Sequence, residues 1–163
     1  MHIRPEIASD VPAIRLVTQS AFSGAEHSSG TESEIIDRLR DAGALAVSLV
    51  AIENAEIVGH AAFSPVSIAG RDRGWLGLGP ISVRPDRQGQ GIGSRLIREG
   101  LSLLERRGAG GCVVLGDPGY YSRFSFAACP GLTFEGAPPE YFMALPISGP
   151  TPGGAVTYQP AFY

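Results

Sequence analysis

Residues 81–107 constrain the fold of this chain more than any other stretch. A β-prone run ending in Ile81-Ser82-Val83 leads into Gln88-Gly89-Gln90-Gly91-Ile92-Gly93. Apolar residues then follow at helical spacing: Ile92, Leu96, Ile97, Leu103 and Leu104. The spacing predicts a helix to about residue 107. The start of a helix leaves several backbone N–H groups without an intrahelical partner, and the helix dipole adds partial positive charge there. A glycine-rich turn into such a start is an anion site suited to phosphate. Glycine serves because a side chain would hold the anion off the backbone, and because positive φ costs it nothing. From the residues alone two other readings stand beside this one: a tight turn that binds nothing, and a dinucleotide loop. The dinucleotide loop requires Gly-x-Gly-x-x-Gly, whereas here Ser94 holds the last position.

The rest of the chain narrows the class. Its 163 residues suffice for one domain with a real core and are too few for two ordinary ones. We read 1–163 as a single domain, with 148–163 as a tail that is partly loop. Apolar residues make up 44% and charged residues 18%, a globular balance. The formal net charge of -3 disfavours nucleic acid, whose binding rests on neutralising phosphates. All 13 basic residues are arginine, which excludes both a P-loop lysine and a Schiff-base lysine. Cys112 and Cys129 lack paired metal spacing and read as small hydrophobes, so no metal is expected. Met1-His2-Ile3-Arg4-Pro5-Glu6 has no apolar leader segment, and no apolar run reaches the roughly 20 residues that span a bilayer. The expectation is a cytoplasmic protein with no membrane partner.

Along the chain, 2–7 reads as a short edge strand limited by Pro5. Ser9 or Asp10 is placed to cap a helix over 11–22, with Pro12 in its first turn. Thr31-Glu32-Ser33-Glu34 fits a capping box for a second helix to about Asp41, which would turn Ile35, Ile36 and Leu39 inward. Runs 44–52, 57–69 and 75–83 read as strands. Asn54 and Gly70-Arg71-Asp72-Arg73-Gly74 supply the turns of an antiparallel meander. After the central helix, 112–115 reads as a buried strand parallel to the previous one. A short helix at 118–124 and strands at 142–147 and 156–158 complete the order.

At this point the sequence resembles the GNAT N-acetyltransferases. Gln88, Gly91 and Gly93 match that family's acyl-CoA loop, Gln/Arg-x-x-Gly-x-Gly/Ala. Leu78-Gly79-Pro80-Ile81-Ser82-Val83-Arg84-Pro85 is similar to its central strand. Leu115-Gly116-Asp117-Pro118-Gly119-Tyr120-Tyr121-Ser122-Arg123-Phe124-Ser125-Phe126 looks like a second signature, Tyr-Tyr-x-Arg-Phe-Gly-Phe in one subgroup of predicted acetyltransferases. Serine at 125 departs from the usual glycine. It would cost about 1 kcal/mol or more if the position needs positive φ. The resemblance covers roughly residues 2–147 and implies an α/β (α+β) fold: a central mixed, mainly antiparallel sheet flanked by helices, with a splayed parallel strand pair at the acyl-CoA site.

The chemistry implied by the resemblance is attack of an amine on the thioester of acetyl-CoA. Backbone N–H groups of Gln88, Gly89, Gln90, Gly91, Ile92, Gly93 and Ser94 would bind the pyrophosphate of coenzyme A. Ile81 and Val83 would carry backbone bonds to the pantetheine arm, and an N–H near Ser82 or Val83 would meet the oxyanion. Arg123, with Phe124 beside it, would meet the cofactor, while Phe124 and Phe126 also read as packing; Arg84 and Arg87 flank the loop. Tyr121 stands four residues before Ser125, at the position of the family's general acid, with Tyr120 as its neighbour and alternative. The base is open among Glu26, His27, Glu34, His60 and Asp117, and Glu34 is carried forward. The acceptor implied is a small-molecule or peptide amine. A non-catalytic acyl-CoA-binding module is the competing reading. Dimers are common in the family, and 156–163 offers apolar surface for a homodimer or for closing the sheet.

Overall fold

The computed structural model describes residues 1–23 and 30–163. Contacts between Cα atoms divide the chain into two compact units, Met1–Phe63 with Gly79–Gly100 and Ser64–Leu78 with Leu101–Tyr163.

In the first unit β1 (His2–Pro5) leads through a 3-10 turn into α1 (Val11–Phe22). Helix α2 (Glu32–Asp41), β2 (Val47–Glu53) and the first part of β3 (Glu56–Ile68) follow. β1 pairs antiparallel with β2, and β2 with β3 in the register Val50↔His60. The β2–β3 hairpin closes through Asn54 and Ala55, at φ +52° and +63°. Two successive left-handed residues match the twist of the flanking strands. Val50 packs on Ile14 of α1 and Ile36 of α2. Side chains alternate along a strand, so Gly59 faces the other way. There, Ile92 and Leu96 of α3 (Ile92–Arg106) lie 3.1 Å from where its Cβ would stand. The sheet thus carries α1 and α2 on one face and the start of α3 on the other.

Two predicted caps are replaced. Asp10 holds the N-cap position of α1, but its carboxylate turns back to Arg4 (2.7 and 3.1 Å) and to the Ile7 N–H (2.7 Å). Thr31 makes no side-chain cap bond, and Glu34 reaches forward to Arg38 at 3.6 Å, so the capping box does not form. The i,i+4 cation competes for the same carboxylate. Ile36 and Leu39 are buried as expected, whereas Ile35 is only half-buried.

β4 (Arg71–Val83), whose residues to Leu78 belong to the second unit, starts four residues earlier than the sequence predicts. Ala69 and Gly70, at φ +51° and +78°, close its hairpin with β3 in two residues. The unit continues through β5 (Gly111–Leu115), α4 (Pro118–Tyr121), β6 (Leu132–Thr133), β7 (Phe142–Pro146) and β8 (Gly154–Thr157). β5 is parallel to β4, as a helical crossover requires, and antiparallel to β7. β8 pairs antiparallel with β3 and parallel with β6, a two-residue strand the sequence did not reveal. The core gathers Trp75, Val66, Ile68, Val113, Phe142, Val156 and Tyr158. Overall the hydrogen-bonded order is β1-β2-β3-β4-β5-β7, a mixed, mainly antiparallel sheet as expected.

Candidate functional site

The pairing of β4 with β5 covers Trp75–Leu78. The strand then passes Gly79 (φ +135°) and a cis bond to Pro80, and continues as Ile81, Ser82 and Val83. Arg84 donates its N–H to the Val58 carbonyl at 2.8 Å. Backbone groups of a strand alternate in direction, so those of Ser82 also face β3, and those of Ile81 and Val83 face away from it. The Ser82 side chain is buried. Thr18 spends its proton on the Ile14 carbonyl at 2.7 Å, which leaves Ser82 as donor across the 3.3 Å to Thr18.

Beyond Val83 the chain turns through a 3-10 turn, Pro85–Arg87, and the glycine loop. Gly89 and Gly91 lie at φ +77° and +83°, where other residues are strained. An added Cβ at either would meet nothing within 4 Å, so the space in front of the backbone is open. Buried Ile92 anchors the helix start against Gly59, and Arg95 makes a first-turn bond to the Gly91 carbonyl at 3.1 Å. Gln90 is exposed, and Gly93 and Ser94 are half-buried. The Gln88 side-chain amide donates to the Val83 carbonyl at 3.0 Å, a brace that the loop pattern did not announce. Its backbone N–H points to the Pro85 carbonyl at 3.5 Å. The flanking arginines are engaged: Arg84 with Asp86 (2.7 Å) and Glu56 (3.0 Å), Arg87 with Glu53 (3.1 Å).

In the second unit β5 ends at Leu115, and Gly116 donates to the Tyr141 carbonyl at 2.9 Å. Asp117 caps α4 by accepting the Gly119 N–H at 2.9 Å. The Tyr121 ring is half-buried, edge-on to Tyr120 at 5.0 Å and to Phe126 at 6.1 Å. Burial first, then the neighbouring Tyr120 and Cys112, push its phenol up to about 12, so it holds its proton throughout the neutral range. Arg123 is exposed, its guanidinium 4.7 Å from the centre of the Tyr120 ring. Phe124 is buried against both tyrosines. Ser125 takes the left-handed conformation, φ +72°, in which the family's glycine would be unstrained.

The proposed bases separate. Glu34 has a side chain 64% exposed and pairs with Arg38 in the manner of a surface carboxylate. Asp117 is committed to its cap. His60 is fully buried; its Nε2 meets Ser48 Oγ at 2.8 Å, and Ser48 in turn meets Glu6, which Arg40 grips at 2.9 and 3.0 Å. Burial holds His60 below its usual range, so it is neutral and shut away from any substrate. Burial alone would raise the Glu6 carboxyl, but His60 3.8 Å away and hydrogen bonds from Arg40 and Ser48 hold it well below the usual carboxylate range. This network joins four separate segments and has no sequence signature. Glu26 and His27 lie outside the described residues. Among the described residues no group of three His, Cys, Asp or Glu is placed to hold a metal ion, and no helix is long and apolar enough to cross a membrane.

The sequence profile of the acetyltransferase (GNAT) family matches residues 12–121, which include the glycine loop and Tyr121. The chain belongs to that family. An uncharacterised N-acetyltransferase of Escherichia coli K12, YhbS, is 39% identical over 127 residues, 77% of this chain and 73% of the relative. A GNAT family acetyltransferase from Brucella melitensis, solved with acetyl-CoA, superposes with a TM-score of 0.90 at 50% identity, over 99% of this chain and 97% of that one. The structure of E. coli YhbS with CoA gives 0.91 at 32% identity, over 99% and 91%. Membership of the GNAT family makes the protein an acyltransferase.

Proposed function

We propose that this protein transfers the acetyl group of acetyl-CoA to a primary amine of a small molecule or peptide, with the whole chain, 1–163, working as one acetyltransferase domain. The observation that carries the reading is the open loop before α3. Its two left-handed glycines leave open space where side chains would stand, at a helix N-terminus whose N–H groups suit a pyrophosphate. The solved relatives bound to acetyl-CoA and CoA support the same ligand here.

In this mechanism residues 88–94 hold the pyrophosphate. The outward backbone groups of Ile81 hold the pantetheine arm as an added strand would be held, and Val83 beside it is left for the thioester. The amine nitrogen bonds to the thioester carbon, and the carbonyl oxygen takes the negative charge. The Val83 N–H, which points away from β3, meets that oxygen; the Ser82 N–H points the other way. One such donor contributes roughly 3 kcal/mol in the transition state. The C–S bond then breaks, and the thiolate takes its proton from Tyr121. The proton lost by the attacking nitrogen passes through water and restores the Tyr121 phenol, while Glu34 stays a solvated carboxylate beside Arg38. Calorimetric titration with acetyl-CoA tests the reading: saturable one-to-one binding supports it, and no binding at millimolar ligand ends it.

A further inference from the structure

We propose that Gly116 is a positioning residue for the reaction: the absence of a side chain there is what lets the Tyr121 ring lie in its working orientation. The inference rests on Tyr121 as the acid. A Cβ built on Gly116 runs into Cε2 of the Tyr121 ring and stands 3.0 Å from Cδ2 and 3.5 Å from Cζ. Gly116 does not lie in the left-handed region, unlike Gly89 and Gly91, so the backbone itself would admit alanine. The ring contact is what demands glycine.

The surroundings close the other ways out. Tyr121 N–H and Tyr120 N–H both bond the Asp117 carbonyl at 3.0 Å, while the Asp117 side chain caps the same turn. The Gly116 N–H is tied to Tyr141. Tyr120, Phe124 and Phe126 stand around the ring, with centroids 5.0, 6.4 and 6.1 Å away. A methyl group at 116 cannot move the strand end or the helix, so it moves the phenol.

Fluorotyrosine labelling with fluorine NMR tests this without knowing the acceptor, because the chain has 5 tyrosines and Tyr121→Phe assigns one signal. In the unmodified protein the Tyr121 signal shifts when acetyl-CoA is added. In Gly116→Ala it starts at a different position and loses that response, while the Kd for acetyl-CoA stays within about twofold. Amine-dependent thiol release then falls in kcat about as far as for Tyr121→Phe, and the double variant is no worse than either single one, as for two residues acting through one group. Asp117→Ala, which frees the same turn from the other side, gives a smaller change of the same kind if Gly116→Ala folds poorly. A Tyr121 signal that ignores acetyl-CoA in the unmodified protein overturns Tyr121 as the acid. A signal that responds there and responds equally in Gly116→Ala and Asp117→Ala overturns the role of Gly116 alone.

Discussion

The loop before α3 and the elbow after β5 follow two parallel neighbouring strands, and both depend on glycine for opposite reasons. At Gly89 and Gly91 the backbone is left-handed and nothing stands where a side chain would begin. At Gly116 the backbone conformation is ordinary and the space is filled by a ring. The first glycines shape a surface made of main chain, which any neighbouring side chain can leave alone. The second makes room for one particular side chain. A loop built from peptide groups tolerates change except in conformation, and a side chain seated in an elbow tolerates change except in packing.

Variants can break that contrast in turn. Gly91→Val forces a β-branched residue into the left-handed region, with a strain of up to about 3 kcal/mol. Acetyl-CoA affinity measured by calorimetry should fall about one hundredfold, with the elbow untouched. Tyr121→Phe should do the reverse, lowering kcat by about 10²–10⁴ with Kd for acetyl-CoA nearly unchanged. Because burial holds that phenol near 12, the unmodified enzyme's kcat should show no descending limb assignable to Tyr121 around its ordinary value of 10. A limb there that vanishes in Tyr121→Phe would place the phenol in water instead. Ser125→Gly relieves a left-handed serine inside the elbow, and chemical denaturation should report a gain of up to about 1 kcal/mol. Glu34→Gln lies outside both regions and should leave kcat within about twofold, read from amine-dependent thiol release.

Much of this was readable before the structure. The glycine loop, the helix behind it and the parallel strand after that helix follow from hydrophobic spacing and turn residues, which are local properties. Tyr121 stood out as a candidate through its resemblance to a family motif. Its seat on Gly116 was not, since crowding between a residue and a ring five positions on depends on how the chain bends between them. The capping box failed because a motif shows which groups are available, and Arg38 was equally available to Glu34. β6 has two residues, too few for any period to show. His60 looked like a candidate base by residue type, and only its burial beside Ser48 and Glu6 removes it.

The bond from the Gln88 amide to the Val83 carbonyl reaches further than its 3.0 Å suggests. It takes up one of the two lone pairs of the last outward carbonyl of β4. A peptide-like ligand laid along this edge would meet an acceptor already half engaged beside an N–H of the same residue. One glutamine side chain would thereby favour a guest that offers its oxygen there over one that offers its nitrogen.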